Sequence, residues 1–216
     1  WTEQDDLFVR CLRENCARRG VDFFLVEPCW VDDLARAVEA GRVGVGILCD
    51  LASDGTSPGD PYARLAWLAR ECGVRLVNDP VQAAHFSDKG AAHAALTAAG
   101  LPLPFGLTVR ADELDTRVLT PEERGRLGEP FYIKPCHGFA CRGVLADGRE
   151  IADVRRSQAA CADTHYLLQR RVEVADISGR PAYWRVFSIL GDVRVCWWHP
   201  ATRHYALVTG WQVTQY

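Results

Sequence analysis

The sequence predicts an open α/β part at the N-terminal end and a mixed α+β part after it. Apolar strands alternate with helices up to about Val77, which is typical of a parallel sheet covered by helices. After Gly100 the strands form hairpins instead, and Gly191-Asp192 is the strongest two-residue turn. The chain is long enough for a core, because it has 216 residues of which 48% are hydrophobic and 25% are charged.

The N-terminal elements follow from hydrophobic periodicity and helix-end residues. A first helix begins after Thr2, a plausible N-cap, and ends at Gly20. Short apolar strands are predicted over Phe23–Val26, Val43–Cys49 and Val74–Val77. Helices are predicted over Val31–Ala40 and Pro61–Cys72, with a loop over Leu51–Asp60.

The second half begins with an extended connector at Leu101–Pro104 and a charged stretch up to Glu129. Further elements are predicted as a strand Phe131–Ile133, a helix Ile151–Ala162, a strand Tyr166–Val172, and hairpin strands Tyr183–Leu190 and Val193–Trp198. A Gly191-Asp192 turn would place Arg185 opposite Trp198 and Phe187 opposite Cys196.

Charge and composition exclude several classes of protein. The net charge is −3 and the pI about 6.1, so nothing indicates a nucleic-acid partner or an acidic membrane surface. No apolar run is long enough for a membrane span, and a cytoplasmic location is expected. The nine Cys include no C-x-x-C pair, which favours small buried thiols over a zinc ribbon or a disulfide framework.

Common catalytic motifs are absent from the sequence. It contains no phosphate-binding G-x-x-x-x-G-K-[ST] loop, no H-E-x-x-H and no G-x-S-x-G. The six His show no metal-ligand spacing along the chain, so solvated or packed histidines and no metal site are predicted.

Lysine is scarce in this sequence. Of 25 basic residues only Lys89 and Lys134 are lysines, and there is no Met, even at position 1. Codon composition explains an arginine bias, and two surface lysines are the plain interpretation. A compact ammonium binds phosphate as a point charge, however, so the two remaining lysines are candidates for that role.

Four segments occur in a specific order between Val74 and Trp198. They are Asn78-Asp79-Pro80 with Asp88-Lys89, Phe131 to Gly138 closed by Arg142-Gly143-Val144, Tyr166 to Glu173, and Trp184 to Phe187 with its hairpin. Together they resemble the ATP-grasp superfamily, and within it the carboxylate–amine ligases such as glutathione synthetase and the ribosomal-protein glutamate ligases. The resemblance implies an N-terminal domain over residues 1–84, a nucleotide-gripping lobe over 85–172 and an incomplete second lobe over 173–216.

The resemblance also implies ATP as the cofactor and a set of residues that bind it. Lys134 and Lys89 would contact the phosphates, Ile133 would pack on the adenine, and the loop between Gly138 and Gly143 would cover the phosphates. An ordinary hairpin turn remains the alternative for that loop.

Further roles are implied beyond this loop. Gln169 and Val172 would contact the adenine edge, and Glu173 the ribose, with Asp176 as its competitor. Arg185 would stabilise charge during phosphoryl transfer as a catalytic residue, or would stack on Trp198 as a cation–π pair.

The ligases of this superfamily hold two Mg²⁺ on an E-x-N strand, which this sequence lacks, since only Asp176 and Asp192 are acidic after Glu173. The chain is therefore expected to be cut at both ends and inactive alone. Its parent would be an ATP- and Mg²⁺-dependent ligase that joins a small-molecule or peptide carboxylate to an amine through an acyl phosphate. A nucleotide-binding or regulatory module without ligation is the alternative, and a homo-oligomer is left open.

Overall fold

Helices and short strands alternate along the first hundred residues of the computed structural model, which describes residues 3–50, 60–138, 141–174, 183–189, 191–199 and 204–207. The helices are α1 (Glu3–Arg18), α2 (Val31–Glu39), α3 (Pro61–Glu71), α4 (Pro80–Ser87) and α5 (Lys89–Ala98). The strands β1 (Ile47–Cys49) and β2 (Arg75–Val77) pair in parallel, with Leu48 opposite Leu76. This arrangement confirms the predicted α/β class of the N-terminal part.

Two of the predicted N-terminal strands are wrong in whole or in part. Residues 21–27 form no strand, and Phe24 in that segment is 63% exposed. The strand predicted from Val43 begins only at Ile47, after Gly44 and Gly46, and glycine weakens a strand interior. The predicted loop over Leu51–Asp60 lies outside the described residues except for Asp60, which caps α3 by accepting from Tyr62 N at 2.9 Å.

The second half contains a four-stranded sheet in the order β3–β6–β4–β5. Its strands are β3 (Gly106–Arg110), β4 (Phe131–Pro135), β5 (Leu145–Gly148) and β6 (His165–Gln169). Helices α6 (Pro121–Leu127) and α7 (Val154–Ala160) belong to the same half. A separate three-stranded antiparallel sheet follows, made of β7 (Tyr183–Ile189), β8 (Asp192–His199) and β9 (His204–Leu207).

The chain divides into two compact units. The first comprises Trp1–Leu103, Pro135–Arg142 and Asp163–His165, and the second comprises the remaining segments. In the first unit Val31 and Ala35 of α2 pack with Leu65 of α3. The core of the second unit is larger and joins the four-stranded sheet to its helices through Val109, Leu114, Leu119, Leu127, Phe131, Ile133, Ile151, Val154, Tyr166 and Leu168.

The cysteines differ from the expectation of buried thiols. All nine are free, and only Cys136 and Cys196 are buried. Five are exposed: Cys11, Cys29, Cys49, Cys72 and Cys141. In the described part of the chain no helix combines the length and the apolar character that a bilayer crossing needs.

Candidate functional site

The two faces of β4 differ in burial, and this difference sets the direction of Lys134. Phe131, Ile133 and Pro135 are buried, whereas Tyr132 and Lys134 are half-buried. Because successive side chains of a strand point to opposite faces, Lys134 shares its face with Tyr132. The Lys134 ammonium lies 5.4 Å from the centre of the Tyr132 ring.

Lys134 is held by the end of the neighbouring strand β6. Its Nζ donates to Gln169 Oε1 at 2.7 Å. An ammonium has three donors, and this hydrogen bond fixes the direction of one of them toward the end of β6. The second unit thus brings together the Lys134 ammonium, the Gln169 amide and the Tyr132 ring.

Ile133 is not on this face. Its side chain has no exposed surface and lies in the core of the second unit, against Phe131 and the rest of the hydrophobic cluster. The predicted contact between Ile133 and adenine is therefore corrected, because strand alternation turns this side chain inward. A flat ligand on the Lys134 face would meet Tyr132 instead.

Lys89 is the first residue of α5 and is bound to the loop that follows β4. Its backbone N–H donates to the carbonyl of Cys136 at 2.9 Å. Its Nζ donates to the carbonyl of Gly138 at 2.7 Å and to that of Cys136 at 3.3 Å. Two of its three ammonium donors are thus used inside the first unit, and Lys89 fastens the loop 136–138 to the start of α5.

Gly138 and Gly143 both adopt backbone conformations that favour glycine. Their φ angles are +131° and +70°, which L side chains rarely adopt. Gly143 is further fixed in the second unit, because its carbonyl accepts from Ser157 Oγ at 2.6 Å. Residues 139 and 140 of the predicted phosphate-covering loop lie outside the described residues.

The segment after β6 leaves the sheet earlier than predicted. The strand ends at Gln169 and not at Val172, and the N–H of Arg170 donates to the Phe105 carbonyl at 2.8 Å. Val172 is 56% exposed and Glu173 is also exposed. Asp176, the competitor of Glu173 for the ribose, lies outside the described residues.

Arg185 lies on β7 with a register that differs from the prediction by two residues. It is opposite Cys196, and Phe187 is opposite Arg194. The reason is the position of the turn. Asp192 pairs with Ile189 and so belongs to the strand, not to the turn as predicted, and Gly191 before it has a φ of +90°. The Arg185 guanidinium lies 6.0 Å from the Phe187 ring centre, on the same face of the strand, as a cation–π pair, whereas the Trp198 side chain of the predicted stack lies outside the described part of the structure.

A group of ionisable residues that the sequence spacing did not indicate occurs in the first unit. His165 Nε2 lies 2.7 Å from Asp88 Oδ2, and His137 Nε2 lies 3.9 Å from the same oxygen. Burial acts to raise the pKa of Asp88, but hydrogen bonds from His165 and from the N–H groups of Ala91 and Gly90 outweigh it, so this pKa lies below its usual value. Because these residues are far apart in the sequence, no local motif indicated that they form a group.

Comparison with solved structures gives the class of fold. The D-alanine–D-alanine ligase of Bacillus anthracis, solved in complex with ATP, matches 88% of this chain and 60% of its own, at 11% identity and a TM-score of 0.55. A RimK domain ATP-grasp protein of Sphaerobacter thermophilus matches 88% of this chain and 74% of its own, at 16% identity and a TM-score of 0.52. The chain therefore has an ATP-grasp fold over most of its length, which confirms the resemblance found in the sequence.

A further solved structure covers less of this chain. The D-alanine–D-alanine ligase of Helicobacter pylori also matches, over 68% of this chain and 43% of its own, at 14% identity and a TM-score of 0.44. The chain thus spans less than two thirds of either D-alanine ligase. The sequence matches no protein-family model and no curated protein.

Proposed function

We propose that this chain is the ATP-binding portion of a ligase that joins a carboxylate to an amine through an acyl phosphate. One observation supports the proposal above the others: the half-buried ammonium of Lys134, held by Gln169 beside the ring of Tyr132. It occurs in a fold similar to that of a ligase solved with ATP. A partly buried lysine next to an amide and an aromatic ring suits a nucleotide, which offers phosphates and a flat base.

In this proposal the second unit supplies most of the nucleotide contacts. Lys134 contacts a phosphate, the ring of Tyr132 supports the adenine, and Gln169 and the backbone near Val172 contact the adenine edge. The exposed carboxylate of Glu173 accepts hydrogen bonds from the ribose hydroxyls. We further propose that residues 85–172 form the nucleotide-gripping lobe and that residues 173–216 begin the next one.

Phosphate contacts beyond Lys134 are proposed for Lys89, Gly138 and Gly143. The third donor of the Lys89 ammonium is the one available for a phosphate oxygen, since the other two are given to loop carbonyls. Arg185 is proposed to act on the γ-phosphate, where an arginine stabilises the charge that develops during transfer. Its exposed position on β7 supports a role toward a ligand more than a role in the core.

The proposed reaction has two steps. A carboxylate oxygen attacks the γ-phosphorus of ATP, and ADP leaves as the acyl phosphate forms. An amine nitrogen then attacks the carbonyl carbon, inorganic phosphate departs with its electron pair, and the amine loses a proton. The contribution of this chain is to hold and orient ATP for the first step.

The described residues do not fit the Mg²⁺ ions that this class of ligase uses. Magnesium requires hard oxygen ligands in an octahedral arrangement. Among the described residues after β6, Asp192 is an exposed acid whose Oδ2 accepts from the Arg194 guanidinium at 2.7 Å. The group formed by Asp88, His137 and His165 offers two imidazoles, which is the wrong donor set for Mg²⁺.

The second candidate is a nucleotide-binding or regulatory module without ligation. The two are separated on the parent protein by supplying ATP, Mg²⁺, and mixtures of carboxylates and amines, and then measuring ADP and phosphate. A ligase releases one ADP for each amide formed, whereas the module binds ATP without consuming it. We expect this chain by itself to bind ATP without turnover.

Calorimetric titration with a non-hydrolysable ATP analogue tests the binding proposal. We expect one site per chain and at least about tenfold weaker binding for Lys134→Met, because a charge-assisted hydrogen bond to phosphate is lost. Arg75→Met is the matched control, since it removes an exposed cation from β2 in the first unit. An absence of binding by the wild type, or equal affinity in Lys134→Met, contradicts the proposal.

A further inference from the structure

Asp88, His137 and His165 lie close together in the first unit, although all three are far apart in the sequence. One donor atom from each residue lies within 4.8 Å of the others. The two imidazole rings meet edge to face, with their centres 5.3 Å apart and their planes at 84°. None of the three is deeply buried, since the exposed fractions of their side chains are 19%, 45% and 26%. An ion from solvent can therefore reach them.

Each imidazole has its Nδ1 engaged elsewhere, so its Nε2 is directed at Asp88. His137 Nδ1 lies 3.1 Å from Asp163 Oδ1, and Asp163 also accepts from the His137 backbone N–H at 2.6 Å. His165 Nδ1 lies 2.8 Å from the hydroxyl of Thr164. Outer hydrogen bonds of this kind fix the tautomer and orientation of histidines that ligate metals.

The two oxygens of the Asp88 carboxylate have different partners. Its Oδ1 caps α5 by accepting from Gly90 N at 2.7 Å and Ala91 N at 3.0 Å. Its Oδ2 is directed at both imidazoles. The cap therefore orients the second oxygen toward the histidines without any movement of the helix.

The two distances from Asp88 to the histidines lie close to those of a tetrahedral metal site, and the remaining pair of donor atoms lies within 4.8 Å. With metal–ligand bonds of about 2.0–2.1 Å, tetrahedral ligand atoms lie about 3.3 Å apart. The distances from Asp88 Oδ2 to the two Nε2 atoms are 2.7 Å and 3.9 Å, which lie on either side of that value. Shifts of about 0.6 Å, within the reach of side-chain rotation, bring both to the required separation.

We propose that Asp88, His137 and His165 bind one transition-metal ion, Zn²⁺ by preference, with Asp163 and Thr164 as outer supports. Two imidazoles and a carboxylate suit Zn²⁺, and three protein ligands leave a fourth position for water. The ion would link the start of α5, the loop 136–138 and the start of β6 within the first unit. The site does not depend on the proposed ATP-binding function and is tested in the absence of nucleotide.

Calorimetry and cobalt absorption test the site on the full chain. The five exposed thiols and the half-buried Cys16 and Cys161 are first blocked with iodoacetamide, which leaves only the buried Cys136 and Cys196 unreacted, and bound metal is removed with a chelator. We expect one Zn²⁺ per chain, and visible d–d bands of tetrahedral Co²⁺ that Zn²⁺ abolishes by displacement. Binding of no ion, or of several ions of similar affinity, overturns the proposal.

Variants identify the ligands. Asp88→Asn retains an oxygen for the helix cap but loses the carboxylate, and His165→Gln and His137→Gln each remove an imidazole. We expect each to weaken Zn²⁺ binding about tenfold or more, as Asp163→Asn should do from the outer position. His85→Gln on α4 is the matched control, because His85 is exposed and is not one of the three grouped residues.

Circular dichroism at each titration verifies that the variants remain folded. Asp163→Asn gives a test that does not alter a ligand, so the proposal stays falsifiable if a ligand variant unfolds. Binding that is unchanged in His137→Gln, His165→Gln and Asp163→Asn, or lost equally in His85→Gln, overturns the assignment. If the cluster is held only by hydrogen bonds and the ion binds elsewhere on the chain, the first of these results is obtained.

Discussion

Replacing Gly148 by Ala tests the packing of the strand that bears Lys134. Gly148 is buried at the end of β5, opposite Phe131 of β4. A Cβ at this position would lie 2.8 Å from Ile133 Cδ1, 2.9 Å from Ile133 Cγ1 and 2.9 Å from Phe131 Cε2. Carbon atoms pack at about 3.5–4.0 Å, so the neighbours must move by about 0.7 Å or more.

Overpacking of this kind lowers the free energy of unfolding by about 1–3 kcal/mol, which urea denaturation followed by circular dichroism measures. Ile133→Val removes Cδ1, the nearest atom, and by itself costs about 0.5–1.5 kcal/mol. The double variant should therefore lose less than the sum of the single variants, by at least about 0.5 kcal/mol.

Gly125→Ala is the matched control for this experiment. Gly125 lies inside α6, and a Cβ there meets nothing within 4 Å. This substitution should stabilise the protein by about 0.5–1 kcal/mol, because alanine favours the helix. If Gly148→Ala is neutral, or if its effect adds fully to that of Ile133→Val, the side chain of Ile133 does not point into the core toward Gly148.

Three other outcomes are expected. The pKa of Glu123 is lowered by the N–H of Thr120 and by Arg117, so its stabilisation should be complete above the unfolded pKa of about 4.3 and be lost as pH falls through the lower folded pKa. Accordingly, the stability difference between wild type and Glu123→Gln should shrink on acidification from pH 7, as denaturation at each pH will measure. Burial raises the pKa of the Cys136 thiol to about 12, so native protein should react with a thiol reagent at its five exposed cysteines while Cys136 reacts only after unfolding, as peptide mapping will establish. Ser157→Ala removes the buried hydroxyl that donates to the Gly143 carbonyl and should lower the unfolding free energy by about 1–3 kcal/mol, whereas an unchanged midpoint in urea would show that this bond does not fix the loop.

Local patterns predicted much of the fold. The apolar stripe and helix ends located α2 and α3 within a residue or two, because an amphipathic face and a cap act over a few neighbouring residues. The same patterns failed at residues 21–27, where an apolar run has no partner strand. Whether an apolar run becomes a strand depends on pairing, and pairing is not encoded in the run itself.

The candidate site was predictable where its geometry is local. The alternation of β4 is present in the sequence, so the inward direction of Ile133 could have been derived from the outward direction of Lys134. The hairpin register could not be derived in this way, because a shift of the turn by one residue changes every opposite pair by two residues. The meeting of His137 and His165 with Asp88 depends on the tertiary fold and leaves no trace in residue spacing.

Covalent labelling with an acyl-phosphate derivative of ATP tests the central claim most directly. Such a probe transfers its acyl group to a lysine amine beside the bound phosphates, and this chain has only Lys89 and Lys134 as targets. We predict that mass spectrometry finds the acyl group on Lys134, with Lys89 as the second site, and that excess ATP suppresses both. Acylation of neither lysine, or acylation that excess ATP leaves unchanged, would contradict the claim that this fold binds ATP through these two residues.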